Sequence, residues 1–98
     1  MRKDDLAQVV YIDHYGNALT GLRGEVVPAA AGLVIGRRTI RHAPIFSAAP
    51  IGSAFWYVNS NGLAEIAVNC GRADRTLGLS VGSRIDVIAA ATGPRAAR

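Results

Sequence analysis

The hydrophobic positions of this chain fall in short runs cut off by glycine, proline and asparagine, and most of the runs are too short for a helix. Residues 7–12 (AQVVYI) are β-branched and aromatic and stop before the turn signal Gly16-Asn17, so they predict a strand. ALTGL (18–22) can pair back on it. A longer connection with Pro28 follows; beyond it Gly32 and Gly36 bracket LVI (33–35), and TIRHA comes next (39–43), which predicts two short strands joined at Gly36-Arg37-Arg38. Pro44 and Pro50 each remove a ladder donor, so APIFSAAPIG (43–52) is expected to be an irregular loop.

AFWYV (54–58) is the most strand-prone run. NSNG (59–62) turns it, and LAEIAVN (63–69) alternates Leu63, Glu65 and Ala67 against Ala64, Ile66 and Val68, which makes this pair the best hairpin in the chain. GRADRTLGL (71–79) reads as the single helical turn, ended by Gly78. RIDVIAA (84–90) predicts a last strand with Ile85, Val87 and Ala89 on one face, and the tail ATGPRAAR is expected to fray. The fold class is therefore all-β, a small closed or nearly closed β-barrel of six to seven short strands with one short helical turn. Residues 1–6 are an N-terminal tail, 7–90 the barrel and 91–98 a flexible tail. Closure hides strand edges, which matters for so small a domain.

Composition agrees with one packed domain. The chain has 98 residues, half of them hydrophobic and 18 % charged; a domain of that size buries roughly 60 to 65 % of its unfolded surface. No run approaches the roughly 18 apolar residues of a membrane span, and MRKDDLAQ carries acids where a signal peptide has an apolar core. With one cysteine, Cys70, no intrachain disulfide can form, and a reducing, cytoplasmic setting without membrane contact is expected. The net charge of +4 rests on scattered arginines. Only Arg37, Arg38 and Arg41 cluster, and no face-long basic stripe appears, so a nucleic-acid partner is not expected.

Candidate chemistry is sparse. His14, His42 and Cys70 lie far apart in sequence, so no metal site is expected. There is no G-x-S-x-G elbow, phosphate-binding loop or G-x-G-x-x-G turn, and no catalytic residue stands out. What remains is a pair of polar turns. Asp13, Tyr15 and Asn17 alternate, so along a strand they would share a face, and NSNG offers amides and a hydroxyl at the end of another strand. A carboxylate, an aromatic ring and an amide suit a purine nucleoside with a cationic appendage. The alternative is that both are ordinary hairpin turns and Tyr15 belongs to the core.

Two stretches carry a resemblance. YIDHYGNALTGL resembles the opening of the C-terminal domain of the S-adenosylmethionine (SAM) hydroxide adenosyltransferases, relatives of the SAM-dependent chlorinases and fluorinases. FWYVNSNGLAEIAVNCGRADRTLGLSVG resembles the second half of the same domain, and the match covers roughly residues 8–88. The resemblance implies a SAM/adenosine-binding barrel of a hydrolase that converts SAM and water to adenosine and methionine. SAM is then a substrate, and no separate cofactor is implied. It also implies that the water-handling residues sit on an N-terminal α/β domain outside these 98 residues, and that the complete enzyme is a homotrimer. The alternative is a non-catalytic, stand-alone binding or interaction module.

By position, the resemblance implies that Asp13 faces the methionine amino group and Asn17 the adenine edge. Tyr15 would be an aromatic wall and Phe46 a second one. Ser60 and the Asn61 amide would hold the methionine carboxylate, and the backbone around Asn69 and Cys70 would read adenine. Each has a plainer alternative: Tyr15 and Phe46 as core, Ser60 as a turn cap. The sequence departs from the family at Ile45, where threonine is common, at Ala48, where an acid is usual, and at Gly21, where asparagine is frequent. The halogenases carry an extra residue between the counterparts of His14 and Tyr15; its absence points to the hydrolase branch.

Overall fold

The computed structural model describes residues 5–43 and 48–88. Among these described residues there are seven strands: β1 (Leu6–Ile12), β2 (Ala18–Arg23), β3 (Gly32–Ile35), β4 (Arg38–His42), β5 (Ala54–Val58), β6 (Leu63–Val68) and β7 (Asp86–Ile88). One short helix, α1 (Ala73–Leu77), follows β6, and Gly78 closes it in the left-handed conformation, as the sequence predicted. A 3-10 turn at Gly24–Val26 has no counterpart in the expectations. The strand order is β1-β2-β6-β5-β4-β3-β7. All neighbours are antiparallel except β4 and β5, whose parallel pairing puts Arg41 opposite Phe55 and His42 opposite Trp56. The 43–53 connection takes the chain back to the start of a parallel neighbour, which a tight hairpin cannot do.

The mixed sheet curls through 246° into a near-closed half-barrel, and the segment ahead of β7 bridges its ends. Val9 donates its N–H to the Ser83 carbonyl (2.9 Å), Gly82 to Val9 (2.7 Å) and Ile85 to Ala7 (2.9 Å). Trp56, Leu22, Leu33, Ile66, Ile85 and Val9 fill the interior, and the Trp56 indole N–H donates to the buried Ala31 carbonyl at 3.1 Å. Alternation along β6 sends Ala64, Ile66 and Val68 into this core. Its other face is covered too, because Ala67 packs with Phe55, Ala43 and Ala49 in a second, smaller cluster. The sequence marks Glu65 and Ala67 as one side of an alternating strand; the proline-bearing loop that buries that side is not visible in the alternation itself. β1 starts at Leu6, just inside the expected tail, and Asp5 ahead of it is buried against Arg23 (Nε to Oδ1, 2.7 Å).

Candidate functional site

The first polar turn is not the strand extension that alternation suggested. β1 ends at Ile12, and residues 13–17 form a closed five-residue turn, so Asp13, Tyr15 and Asn17 do not share a strand face. Asp13 N–H donates to the Asn17 carbonyl (3.0 Å), and Gly16 N–H to the Asp13 carbonyl (3.0 Å). The Asp13 carboxylate then accepts from the N–H groups of both Tyr15 and Asn17 through Oδ1, each at 2.9 Å. A short acidic side chain that satisfies nearby N–H groups competes with the ladder, and this is what ends the strand. Gly16 supplies the left-handed residue that closes the turn (φ +84°).

The second turn repeats the first bond for bond. Asn59 N–H donates to the Leu63 carbonyl (2.8 Å), and Gly62 N–H to the Asn59 carbonyl (2.9 Å). Asn59 Oδ1 accepts from Asn61 N–H (2.9 Å) and Leu63 N–H (3.1 Å), and Gly62 has φ +80°. Asp13 and Asn59 thus occupy equivalent places, as do Gly16 and Gly62. The residues between them, His14 and Tyr15 in one turn and Ser60 and Asn61 in the other, are all exposed. Tyr15 is 72 % exposed, which rules out the core alternative for its ring; it stands edge-on to His14 with centroids 5.2 Å apart.

Other elements hold the first turn against the end of β6. Asp74 N–H donates to the Gly16 carbonyl (2.9 Å), and Arg72 Nη1 to the His14 carbonyl (3.0 Å). Arg72 also grips Asp74 with two bonds, Nε to Oδ1 (3.1 Å) and Nη2 to Oδ2 (3.0 Å). The Arg72 guanidinium holds the Asp74 carboxyl below the usual carboxylate range, and Arg72 is raised in return. Sequence reasoning passed over this pair. Its only signal is a basic and an acidic residue two apart at the head of a short helix.

Asn69 anchors the neighbouring loop: its Nδ2 donates to the Ala49 carbonyl (2.7 Å), its N–H to Ser53 (3.1 Å), and its carbonyl accepts from Gly52 N–H (2.8 Å). Cys70, exposed, has φ +60°, an uncommon conformation for a residue with a Cβ. Asp13 to Asn17, Asn69 and Cys70 are therefore brought together at one end of β6. Ser60 and Asn61 sit in the turn at the other end of this six-residue strand. Phe46 lies outside the described residues.

Tyr57 and Glu65 lie between the two ends. They are directly paired across β5 and β6, on the face opposite the Trp56 core. The Tyr57 hydroxyl donates to Glu65 Oε2 (2.6 Å), and Asn59 Nδ2 donates to Glu65 Oε1 (3.0 Å). Burial, the bond to Glu65 and the negative charges of Glu65 and Asp13 push the Tyr57 phenol well above its ordinary pKa. The Asp13 charge is thus felt on the face that Asn59 borders. A depression of about 260 Å³ between Arg41, Ala49, Pro50 and Phe55, and a second of about 340 Å³ beside Arg23, Glu25, Val58 and Asn61, flank this strip. Arg37 and Arg38 stand exposed at and beside the β3–β4 turn. Among the described residues no group of three or more His, Cys, Asp or Glu side chains is placed to hold a metal ion, and no helix is long and apolar enough to cross a membrane.

A curled half-barrel that presents two equivalent capped turns from two different hairpins defines a small β-domain built to display loops. Residues 7–86 match the family model of the SAM hydroxide adenosyltransferase C-terminal domain, and the chain belongs to that family. It is similar to the (R)-S-adenosyl-L-methionine hydrolase of Salinispora arenicola (strain CNS-205), 38 % identical over 86 residues, covering 85 % of this chain and 32 % of the relative. The hydrolase of the same name from Thermus thermophilus is 33 % identical over 81 residues, covering 83 % and 31 %. In fold the chain is similar to a conserved hypothetical protein from Thermus thermophilus (TM-score 0.77, 32 % identity, covering 89 % of this chain and 36 % of that one). An uncharacterized conserved protein from Thermotoga maritima gives 0.74 at 26 % identity, covering 90 % and 39 %. The chain spans about a third of the length of the hydrolases it matches.

Proposed function

We propose that this domain supplies the adenosine- and methionine-recognising face of a SAM hydrolase, in which water displaces methionine from SAM to give adenosine. In that reaction a bond forms between the water oxygen and the ribose 5′ carbon. The carbon–sulfur bond breaks, its electron pair stays on sulfur as the methionine thioether, and the water gives up a proton. Activation of the water is assigned to an N-terminal α/β domain on the family pattern, not to any residue of this chain, and a homotrimer is the assembly that goes with it. The observation that carries the reading is the repeated turn. Two backbone frames of the same construction hold exposed side chains at either end of β6, and the chemistry of those side chains differs in the way a nucleoside and an amino-acid head require.

Asn17, with the peptide groups of Asn69 and Cys70, would take the adenine edge, since an amide can both donate and accept there. Tyr15 would stack on the base, with Phe46 as the expected second wall. The Ser60 hydroxyl and the Asn61 amide would hold the carboxylate of the methionine head, and Asp13, with Oδ2 left over after its turn bonds, would face the ammonium group. A direct test combines this chain with an N-terminal α/β domain of the family and measures adenosine release from SAM. Release by the mixture and by neither part alone is expected. Without release, saturable SAM binding by the mixture would leave a non-catalytic binding module; neither release nor binding would end the proposal.

A further inference from the structure

The 59–63 turn contains an ambiguity that its sequence does not resolve. An asparagine amide can present either its oxygen or its nitrogen to the two backbone N–H groups of Asn61 and Leu63, and only the oxygen can accept. Asn59 holds the accepting orientation because its Nδ2 has a partner on the far side, the Glu65 carboxylate at 3.0 Å. An ionised carboxylate can only accept, so it fixes the amide flip. Glu65 is itself held from the other side by the Tyr57 hydroxyl at 2.6 Å. The residue is 6 % exposed, and both of these bonds come from neutral donors. A buried anion held in this way is costly where an apolar residue at the same place would not be.

The equivalent turn at 13–17 does without any such support. Asp13 has no nitrogen to misplace: either carboxylate oxygen caps the turn, and Arg72 and Asp74 brace the backbone from outside. We infer that Glu65 is a positioning residue: through Asn59 it sets the turn that carries Ser60 and Asn61, and so governs recognition of the amino-acid head of the ligand. This inference rests on the reading given under Proposed function. Glu65 touches no ligand in it.

The test uses this chain with its N-terminal-domain partner and measures equilibrium affinity for two probes, SAM and adenosine. Glu65→Ala is expected to weaken SAM about tenfold and leave adenosine within twofold. Glu65→Gln should restore SAM binding, because glutamine can still accept from Asn59 while Tyr57 turns its hydroxyl to accept from the new amide. Amide hydrogen exchange at Asn61 and Leu63 should quicken in Glu65→Ala and return in Glu65→Gln. Should Glu65→Ala not fold, the double variant Tyr57→Phe with Glu65→Leu removes the Tyr57 hydroxyl and the carboxylate it bonds together, which costs less than removing either alone, and carries the same expectations. Equal losses for SAM and adenosine, or a folded variant with unchanged SAM affinity, would overturn the inference. Ser60→Ala separates the two levels. If it weakens SAM selectively while the Glu65 variants do not, the turn is a site and Glu65 is not its support; if it leaves SAM unchanged, the reading of the turn falls, and the inference with it.

Discussion

Gly16 and Gly62 close the same turn with nearly the same backbone angle, yet they do not carry the same load. A Cβ at Gly62 would meet nothing within 4 Å, whereas one at Gly16 would come within 2.8 Å of Arg72 and 2.7 Å of Asp74. Gly62→Ala should therefore cost only the left-handed penalty of about 1 kcal/mol. Gly16→Ala adds overpacking to that penalty, for about 3 kcal/mol in all; urea unfolding of the two variants gives the comparison. Cys70 is the converse case, a side chain at φ +60° where glycine would be relaxed. Cys70→Gly is expected to stabilise by about 0.5 kcal/mol, net of the entropy glycine adds to the unfolded chain. Cys70→Ala should leave ligand affinity within twofold, because the proposed contact there is made by the backbone. At this scale the turn residues were legible, since Gly16-Asn17 and NSNG have few other uses. Arg72 was not: its role depends on a carbonyl 58 positions away in sequence.

Elements depend on such pairs for their placement. Helix α1 has five residues, too short to stand alone, and it is tied to the first turn through Asp74 and Arg72. Asp74 has its pKa depressed by Arg72 from an ordinary 3.8. A depressed carboxyl favours the folded state once ionised, so its contribution is complete above pH 3.8 and is lost as pH falls through the lowered value. Asp74→Asn should accordingly lower the thermal midpoint at neutral pH, and the gap to the unmutated protein should close as the pH drops below 3.8; melting curves from neutral to strongly acidic pH would show it. The β5–β6 hairpin was the most legible element, with its alternation and its turn both local. Burial of both faces of β6 was not legible, because among the described residues the covering loop contributes Ala43 and Ala49, small residues without a periodic pattern.

The near-closed shape of the whole molecule depends on a few residues ahead of β7. Ile85 is fully buried in the core while its N–H bonds β1, so it serves the packing and the closure together. Ile85→Ala should cost about 3 kcal/mol, roughly 12 to 24 °C in the melting midpoint of a domain this size. Trp56, fully buried with its indole bonded to Ala31, provides an intrinsic fluorescence probe for that transition.

The sequence by itself determined the strands, the places of the two turns and the all-β class, because each of these follows from residues a few positions apart whose steric and hydrogen-bonding preferences act locally. Only the tertiary structure decided that β4 runs parallel to β5, that residues 82–85 bridge back to β1, and that Glu65 lies buried beneath the turn at 59–63. Those outcomes depend on contacts between segments distant in sequence, where many pairings satisfy the same local pattern and the packing of one common core selects among them.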